Sequence, residues 1–364
     1  MFRDWYSGKT VLVTGHTGFK GAWLSLWLNE LGAKVQGISL PPVNSPNLFS
    51  IIGIDSFTEE SYLDIRHKEE VSRAILRIKP DFIFHLAAQS LVRESYANPL
   101  ATLDTNVLGT ANLIESVREA RFDCPILVVT SDKCYENREW CYGYRETDPL
   151  GGHDVYSASK AMTELVVQAW RRSFFDHKLG PIVTARAGNV IGGGDYASDR
   201  IVPDAIRSLN QEQPIRVRNP IAIRPWQHVL ECLSGYLWLG ALMAQDNIEK
   251  RISTEYNFGP YSSAQKSVKT LVKEILKHWD GQWTNDTKVG ELHEAGLLTL
   301  NIDRASTELG WTPIWEFSDA VKHTMAWYIQ YYQHVDMRAL TLNQILTYVD
   351  SARKSGAVWS NDGN

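Results

Sequence analysis

A strand that runs straight into three spaced glycines and then into a helix constrains this chain more than any other feature. Residues 11–21 read Val-Leu-Val-Thr-Gly-His-Thr-Gly-Phe-Lys-Gly, and helical periodicity follows from Ala22 to Leu31. Glycines in such a turn let the backbone approach a ligand closely, and the first N–H groups of the helix, with its positive dipole end, favour a pyrophosphate. The spacing predicts a dinucleotide site built from Gly15, His16, Thr17, Gly18, Phe19, Lys20 and Gly21. A tight βα turn with no ligand has the same pattern, so the rest of the chain must decide.

The rest agrees with a doubly wound sheet. Strand-like runs at Thr10–Val13, Lys34–Ser39, Asp81–His85, Ile126–Thr130 and Ile182–Ala185 alternate with helical segments, the grammar of parallel βαβ units. Most are continuously apolar at their centres, as strands covered on both faces are. The expected fold is α/β, a Rossmann-type parallel sheet over residues 1–187, with a smaller C-terminal substrate lobe over most of 188–364. Near Gly192-Gly193-Gly194-Asp195 the rhythm breaks, and Pro203, Pro214, Pro220 and Pro225 follow. The two parts interleave, because 225–260 returns to the sheet through a strand at Tyr256–Gly259; helices at Ser318–Tyr332 and Thr341–Ser351 close the chain.

Composition narrows the function. With 37 Lys and Arg against 42 Asp and Glu the net charge is −5, which supplies no overall field for nucleic acid or an anionic membrane. No apolar run approaches a membrane span and no secretory leader is visible, so a cytoplasmic protein is expected. The four cysteines lack paired spacing and read as reduced thiols, and no His, Cys, Asp and Glu pattern suggests a metal.

The second chemical motif is Tyr156-Ser-Ala-Ser-Lys160 at the start of a helix running to about Trp170. One helical turn puts phenol and ammonium on one face, where the cation can lower the phenol pKa and make a general base. Upstream, a strand ends in Thr130-Ser131-Asp132-Lys133. The stretch after Ser39 lacks the carboxylate that usually holds the NAD ribose, and an Arg pair for a 2′-phosphate is absent too, which favours NAD over NADP. Asp64 reads either as an adenine contact or as an N-cap for a helix from Arg66. His16 and Lys20 are expected to crowd and like-charge the pyrophosphate site, so that NAD is held weakly and must be supplied. Lys20 against a phosphate stays open. On the substrate side Arg224 is a natural phosphate clamp, with Arg200 and Arg218 as further cations.

TGHTGFKG (14–21), HLAAQ (85–89), NVLGT (106–110), TSDK (130–133), YSASK (156–160) and RAGNVIGGGD (186–195) together resemble the extended short-chain dehydrogenase/reductase family, over nearly the whole chain. TSDK is similar to the nucleotide-sugar 4,6-dehydratase branch, in which an Asp and a proton-abstracting residue follow a Ser or Thr. Members acting on dTDP-glucose and GDP-mannose usually carry Glu in the third position, where this chain has Lys133. That departure, with CYGYRETDP (141–149) and RPWQHV (224–229), points within the branch to CDP-D-glucose as substrate.

The resemblance implies an NAD-dependent hydro-lyase of deoxysugar biosynthesis that oxidises C4, eliminates water across C5 and C6, and returns hydride to C6. Tyr156 would take the C4 hydroxyl proton, Lys160 would hold the ribose, and Ser131 would bind the C4 oxygen. Lys133 would remove the C5 proton and Asp132 would protonate the leaving C6 hydroxyl. Lys133 as a mere ion-pair partner of Asp132 stays open. Asp64, Ile65, Leu86, Ala87 and Ala88 would join the cofactor site, and Gln89 and Asn189 the substrate site. Family members commonly form homodimers or larger homo-oligomers, here through Pro99–Arg121 and Asp154–Phe175. Another nucleotide-sugar dehydratase, an epimerase, or a non-catalytic dinucleotide-binding protein would share much of this pattern.

Overall fold

The computed structural model describes residues 2–43, 45–175, 179–245, 252–287 and 295–360. Seven parallel strands form the main sheet: β1 (Thr10–Thr14), β2 (Lys34–Ser39), β3 (Glu59–Tyr62), β4 (Phe82–His85), β5 (Ile126–Val129), β6 (Ile182–Ala187) and β7 (Glu255–Phe258), in the spatial order 3-2-1-4-5-6-7. The last strand is the segment that returns after the βαβ rhythm has broken. One strand, β3, is not legible as an apolar run: Glu59-Glu60-Ser61-Tyr62 holds the sheet edge through its register with Gln36–Ser39 of β2.

The continuous apolar runs have a two-sided cause. Alternate side chains of a strand point to opposite faces, and here both faces are buried. Val11, Val13, Phe82, Phe84 and Leu127 enter one core, with Trp23 and Trp27 of α1 (Phe19–Glu30). Leu12, Ile83, Ile126 and Val128 enter the other, with Val71 and Ile75 of α2 (Lys68–Ile78), Leu113 and Val117 of α3 (Gly109–Ala120), and Val167 of α4 (Val155–Ser173). Helix α1 starts earlier than its periodicity suggests because Gly18 occupies the N-cap inside the turn. Helix α4 opens on Asp154, whose side chain accepts from the Ser157 N–H at 2.9 Å, and it runs past Trp170 to Ser173.

Beyond β6 the chain forms α5 (Ile201–Asn210) and α6 (Val229–Met243), three two-stranded sheets, and the closing helices α7 (Phe317–Tyr332) and α8 (Met337–Ser355). Helix α8 is fixed against α1 by aromatic contacts, Tyr348 lying 6.0 Å from Trp27 and stacked at 5.8 Å on Trp359. Among the described residues no helix is long and apolar enough to cross a membrane.

The chain moves one way across the sheet after β1 and the other way from β4 onward. Ligands of open α/β sheets bind at the carboxyl ends of the strands where that order reverses. Gly15 follows β1 with φ +75°, and a Cβ there would come within 2.8 Å of the Ala87 backbone nitrogen, so only glycine fits between the two strand ends.

Candidate active site

A single cleft of about 1080 Å³ opens at this reversal point and takes in most of the candidate residues. Its first half is lined by Gly15, Thr17, Gly18, Phe19, Lys20 and Gly21, by Ser39, Asp64 and Ile65, and by Leu86, Ala87 and Ala88. No side chain caps α1 at Gly18, so the helix N-terminus is left to face the cleft. Where NAD sites usually carry a carboxylate, Thr17 and Ser39 pair through their hydroxyls at 2.6 Å, and Thr17 also donates to the Leu40 carbonyl.

Three sequence expectations are corrected in this region. The His16 imidazole does not reach the cleft. It is fully buried beneath β2, edge-on to Phe49 at 5.6 Å, in space that exists because Gly37 has no side chain: a Cβ there would lie 2.5 Å from the ring. Asp64 caps no helix, since α2 begins at Lys68. Its carboxylate instead binds Arg66 through the backbone N–H and the guanidinium, at 2.9 and 2.6 Å, and Arg66 holds it below the ordinary carboxylate range. Gln89 is turned away from the cleft as well; its amide donates to the Leu91 carbonyl and Thr102 and its carbonyl accepts from the Leu91 N–H, which shapes its own loop.

The second half is lined by Asn189, Arg200, Arg218 and Arg224, joined by Arg216. Asn189 Oδ1 is buried without a protein partner, an acceptor free for a ligand donor. Arg200 is braced by Asp195 at 2.9 Å and Ser90 at 3.1 Å, and Arg218 by Asp199 at 2.8 Å. Arg224 donates to the carbonyls of Ile223 and Gly296.

Between the halves lie Ser131, Asp132, Lys133, Tyr156 and Lys160. After β5 the chain makes one 3₁₀ turn, Asp132–Cys134, capped by Ser131, whose hydroxyl accepts the Lys133 N–H at 3.2 Å and donates to Asp132 Oδ1 at 2.9 Å. Asp132 is almost fully buried, its Oδ2 unpartnered beside Gly188, while Lys133 is part exposed with Nζ 3.4 Å from Asp132 Oδ1.

The charge balance at Tyr156 differs from the expected one. Burial pushes its phenol up to about 12; the Ser131 hydroxyl and Arg200 pull it down. Burial, and next the like charge of Lys20, bring the Lys160 ammonium down to about 8. Behind Lys160, His85 is held neutral by burial and by that ammonium, bound between Thr14 at 2.7 Å and Thr110 at 3.0 Å. Sequence reading missed Glu164, a second turn along the face of α4 that carries Tyr156 and Lys160; the spacing Tyr-x-x-x-Lys-x-x-x-Glu was its only signal.

The chain is similar to known proteins over nearly its whole length. The sequence model of the GDP-mannose 4,6 dehydratase family matches residues 12–324. The chain is 42% identical over 360 residues to the CDP-glucose 4,6-dehydratase of Salmonella typhimurium strain LT2, covering 97% of this chain and 99% of that protein. It is 31% identical to the CDP-paratose 2-epimerase of Salmonella typhi, over 87% of this chain and 98% of that one. Among solved structures, the dTDP-glucose 4,6-dehydratase of Bacillus anthracis strain Ames in complex with NAD superposes with a TM-score of 0.75 at 20% identity, over 92% of this chain and all of that one. A dinucleotide turn at the strand reversal, a Ser-Asp-Lys turn facing a Tyr-Lys helix, and matches of this extent lead to one conclusion: the chain belongs to the GDP-mannose 4,6 dehydratase family, the nucleotide-sugar dehydratases and epimerases of the extended short-chain dehydrogenase/reductase group.

Proposed function

We propose that this chain is a hydro-lyase that converts CDP-D-glucose to CDP-4-keto-6-deoxy-D-glucose with NAD as its cofactor. The observation that carries the reading is the full-length similarity to the Salmonella CDP-glucose 4,6-dehydratase, joined to an acid and a base, Asp132 and Lys133, in one cleft with Tyr156 and Lys160.

The residues present fit a dinucleotide. Gly15 and Gly21 let the turn close onto the Ala87 backbone and onto itself, where a Cβ would clash, and the uncapped end of α1 offers N–H donors for a pyrophosphate. Gly15, Thr17, Gly18, Phe19 and Lys20 would hold the diphosphate, Ile65 and Asp64 the adenosine side, and Lys160 the nicotinamide ribose. Bound there, NAD supplies a hydride acceptor for C4 and the same hydride for C6.

The C5 proton of glucose is not acidic until C4 is a ketone. Tyr156 first gives its phenol proton to water, a loss that Ser131 and Arg200 favour; the phenolate then receives the C4 hydroxyl proton, and Ser131 hydrogen-bonds the C4 oxygen as it becomes a carbonyl. For the elimination the proton shared by the pair must sit on Asp132, on the unpartnered Oδ2, leaving Lys133 a neutral amine. Lys133 then takes the C5 proton and becomes the ammonium, while Asp132 gives its proton to the departing C6 hydroxyl, which leaves as water, so the ion pair is what remains. Arg200, Arg218 and Arg224 bind the CDP diphosphate, to which the Asn189 amide N–H also donates, while its Oδ1 accepts from a substrate hydroxyl.

An epimerase reading has the 31% identical epimerase in its favour, but an acid and a base at 132 and 133 have no task when one carbon is inverted by removal and return of hydride alone. Incubation with CDP-glucose and NAD, with product mass and NMR spectrum measured, tests the proposal: loss of one water supports it, and an unchanged mass with an inverted ring centre favours epimerisation. We also place the protein in the cytoplasm, with the nucleotide-sugar pool, as a homodimer. Leu100, Leu108, Met162 and Leu165 are large apolar side chains exposed along Pro99–Ala120 and α4, the surface a partner copy would cover.

A further inference from the structure

Glu164 is 3% exposed and lies one helical turn beyond Lys160. The chemistry above gives its carboxylate no task, yet four donors converge on it. Thr130 Oγ1 donates to Oε1 and Thr184 Oγ1 to Oε2 at 2.8 Å, while Arg186 donates Nε to Oε1 at 3.0 Å and Nη2 to Oε2 at 2.9 Å. The guanidinium, 2% exposed, turns Nη1 the other way, to the Tyr135 hydroxyl at 2.8 Å and the Glu146 carbonyl at 3.0 Å. Thr130 and Tyr135 are the residues immediately before and after the Ser131–Cys134 turn. We propose that Glu164 and Arg186 are a positioning pair that clamps both ends of the Ser131–Cys134 turn to the helix carrying Tyr156 and Lys160.

Stability alone gives little reason for such a pair. A buried ion pair replaced by apolar groups of equal volume is often neutral or more stable, because desolvation offsets the attraction. Geometry gives a better reason. A bidentate guanidinium–carboxylate pair fixes orientation as well as distance, and proton transfers at Ser131, Asp132 and Lys133 lose rate steeply when the groups shift by fractions of an ångström.

The pair also bears on Lys160. The groups that act on its ammonium come from several elements: Glu164 on its own helix, Lys20 in the glycine turn, Cys134 in the clamped turn, and His85 on β4. Burial holds the Cys134 thiol protonated, and His85 is neutral. Glu164 is therefore the anion that opposes burial and Lys20 and keeps Lys160 charged. The catalytic roles of Lys160 and Ser131 rest on the dehydratase reading above.

The test combines turnover with two readouts that need neither cofactor nor substrate. Trace acetylation of Lys160 against pH, read by mass spectrometry, follows its titration, and hydrogen exchange of the peptide spanning Ser131–Tyr135 follows the turn. Glu164→Gln should move the Lys160 midpoint down by about one pH unit, as expected for a charge one turn away at an intermediate dielectric. It should also speed exchange of the turn and lower kcat with KM unchanged. Thr130→Val should loosen the turn and lower kcat by about tenfold, the loss of a small misalignment, with the Lys160 midpoint unmoved. If Glu164→Gln does not fold, the double variant Glu164→Leu/Arg186→Met removes both charges and should show faster exchange of the turn and lower kcat, with a smaller shift of the Lys160 midpoint because the cation leaves with the anion. Parent-like midpoint, exchange and kcat in folded variants, even with a lower melting temperature, would overturn the proposal. Should the parent fail to dehydrate CDP-glucose, the functional reading falls, while acetylation and exchange still decide the clamp.

Discussion

Lys133 Nζ lies 3.4 Å from Asp132 Oδ1, the same oxygen that accepts the Ser131 hydroxyl at 2.9 Å. The base and the acid of the proposed elimination are thus neighbours on one 3₁₀ turn, and the oxygen left over, Oδ2, is the one buried without a partner. Lys133→Met should therefore separate the two halves of the reaction. C4 oxidation survives, seen as NADH that forms with CDP-glucose and persists, while the dehydrated product falls by about 10²–10⁴, the usual worth of a positioned base. A loss of less than tenfold would mean that Lys133 only pairs with Asp132.

Lys160 gives a stability test with a defined sign. Its folded pKa, about 8, lies below the ordinary lysine value of 10.5. The folded state therefore bears the full cost of a buried ammonium below pH 8, and stability rises between pH 8 and 10.5, where the unfolded chain binds more protons. Lys160→Met should raise the melting temperature at pH 7, by up to about 3 kcal/mol in stability terms, and the gain should fade by pH 10. The same variant should lose turnover. A gain that grows with pH would contradict the assignment.

Glu231 on α6 behaves oppositely. Burial pushes its carboxyl up to about 7, against the pull of donors from Trp315 N, Ile314 N and the Tyr348 hydroxyl at 2.7, 3.0 and 2.8 Å. With the folded value above the unfolded one, its share of stability is intact below pH 4.5 and is lost as pH rises to 7. Glu231→Gln has one carbonyl for three donors, so it should melt lower than the parent at pH 4.5. The deficit should shrink by about 3 kcal/mol by pH 8. Thermal melts across that range check it; parallel curves would remove Glu231 as the titrating group.

The glycine turn divides its two unusual residues. Because the His16 ring sits under Gly37 and not in the cleft, His16→Gly should lower stability by about 2–4 kcal/mol, the cost of a core cavity, and leave NAD affinity within about twofold. Lys20 lines the cleft and its charge is felt at Lys160, a repulsion that an anion between the two ammonium groups would relieve. Lys20→Ile should weaken NAD binding by about 1–2 kcal/mol, measured by titration calorimetry. Tighter binding would instead make Lys20 a repulsive neighbour of the cofactor.

What was legible in the sequence followed from locality. Ser131, Asp132 and Lys133 share one turn, and Tyr156 and Lys160 one helical turn, so spacing alone brings each set together. The buried strands announced themselves by apolar runs, whereas β3 is polar and exists through its partner β2, which no local pattern records. The direction of His16 depends on a missing Cβ at Gly37, 21 residues away, and the burial of Glu164 on Arg186 and Thr130, brought to it across the sheet. Gln89 was misplaced for the opposite reason: its amide is consumed by its own loop at Leu91 and Thr102. The phenol of Tyr156 is set by burial and by Ser131 and Arg200, a balance that the Tyr-Lys spacing does not contain.

In the proposed reaction one active site moves hydrogen within one sugar. The most direct measurement uses CDP-glucose deuterated at C4, with the product examined by mass spectrometry and NMR. Internal transfer predicts the deuterium in the C6 methyl group, solvent hydrogen at C5, and no stoichiometric consumption of NAD. Deuterium lost to the medium, or one NADH released for each product formed, would contradict it.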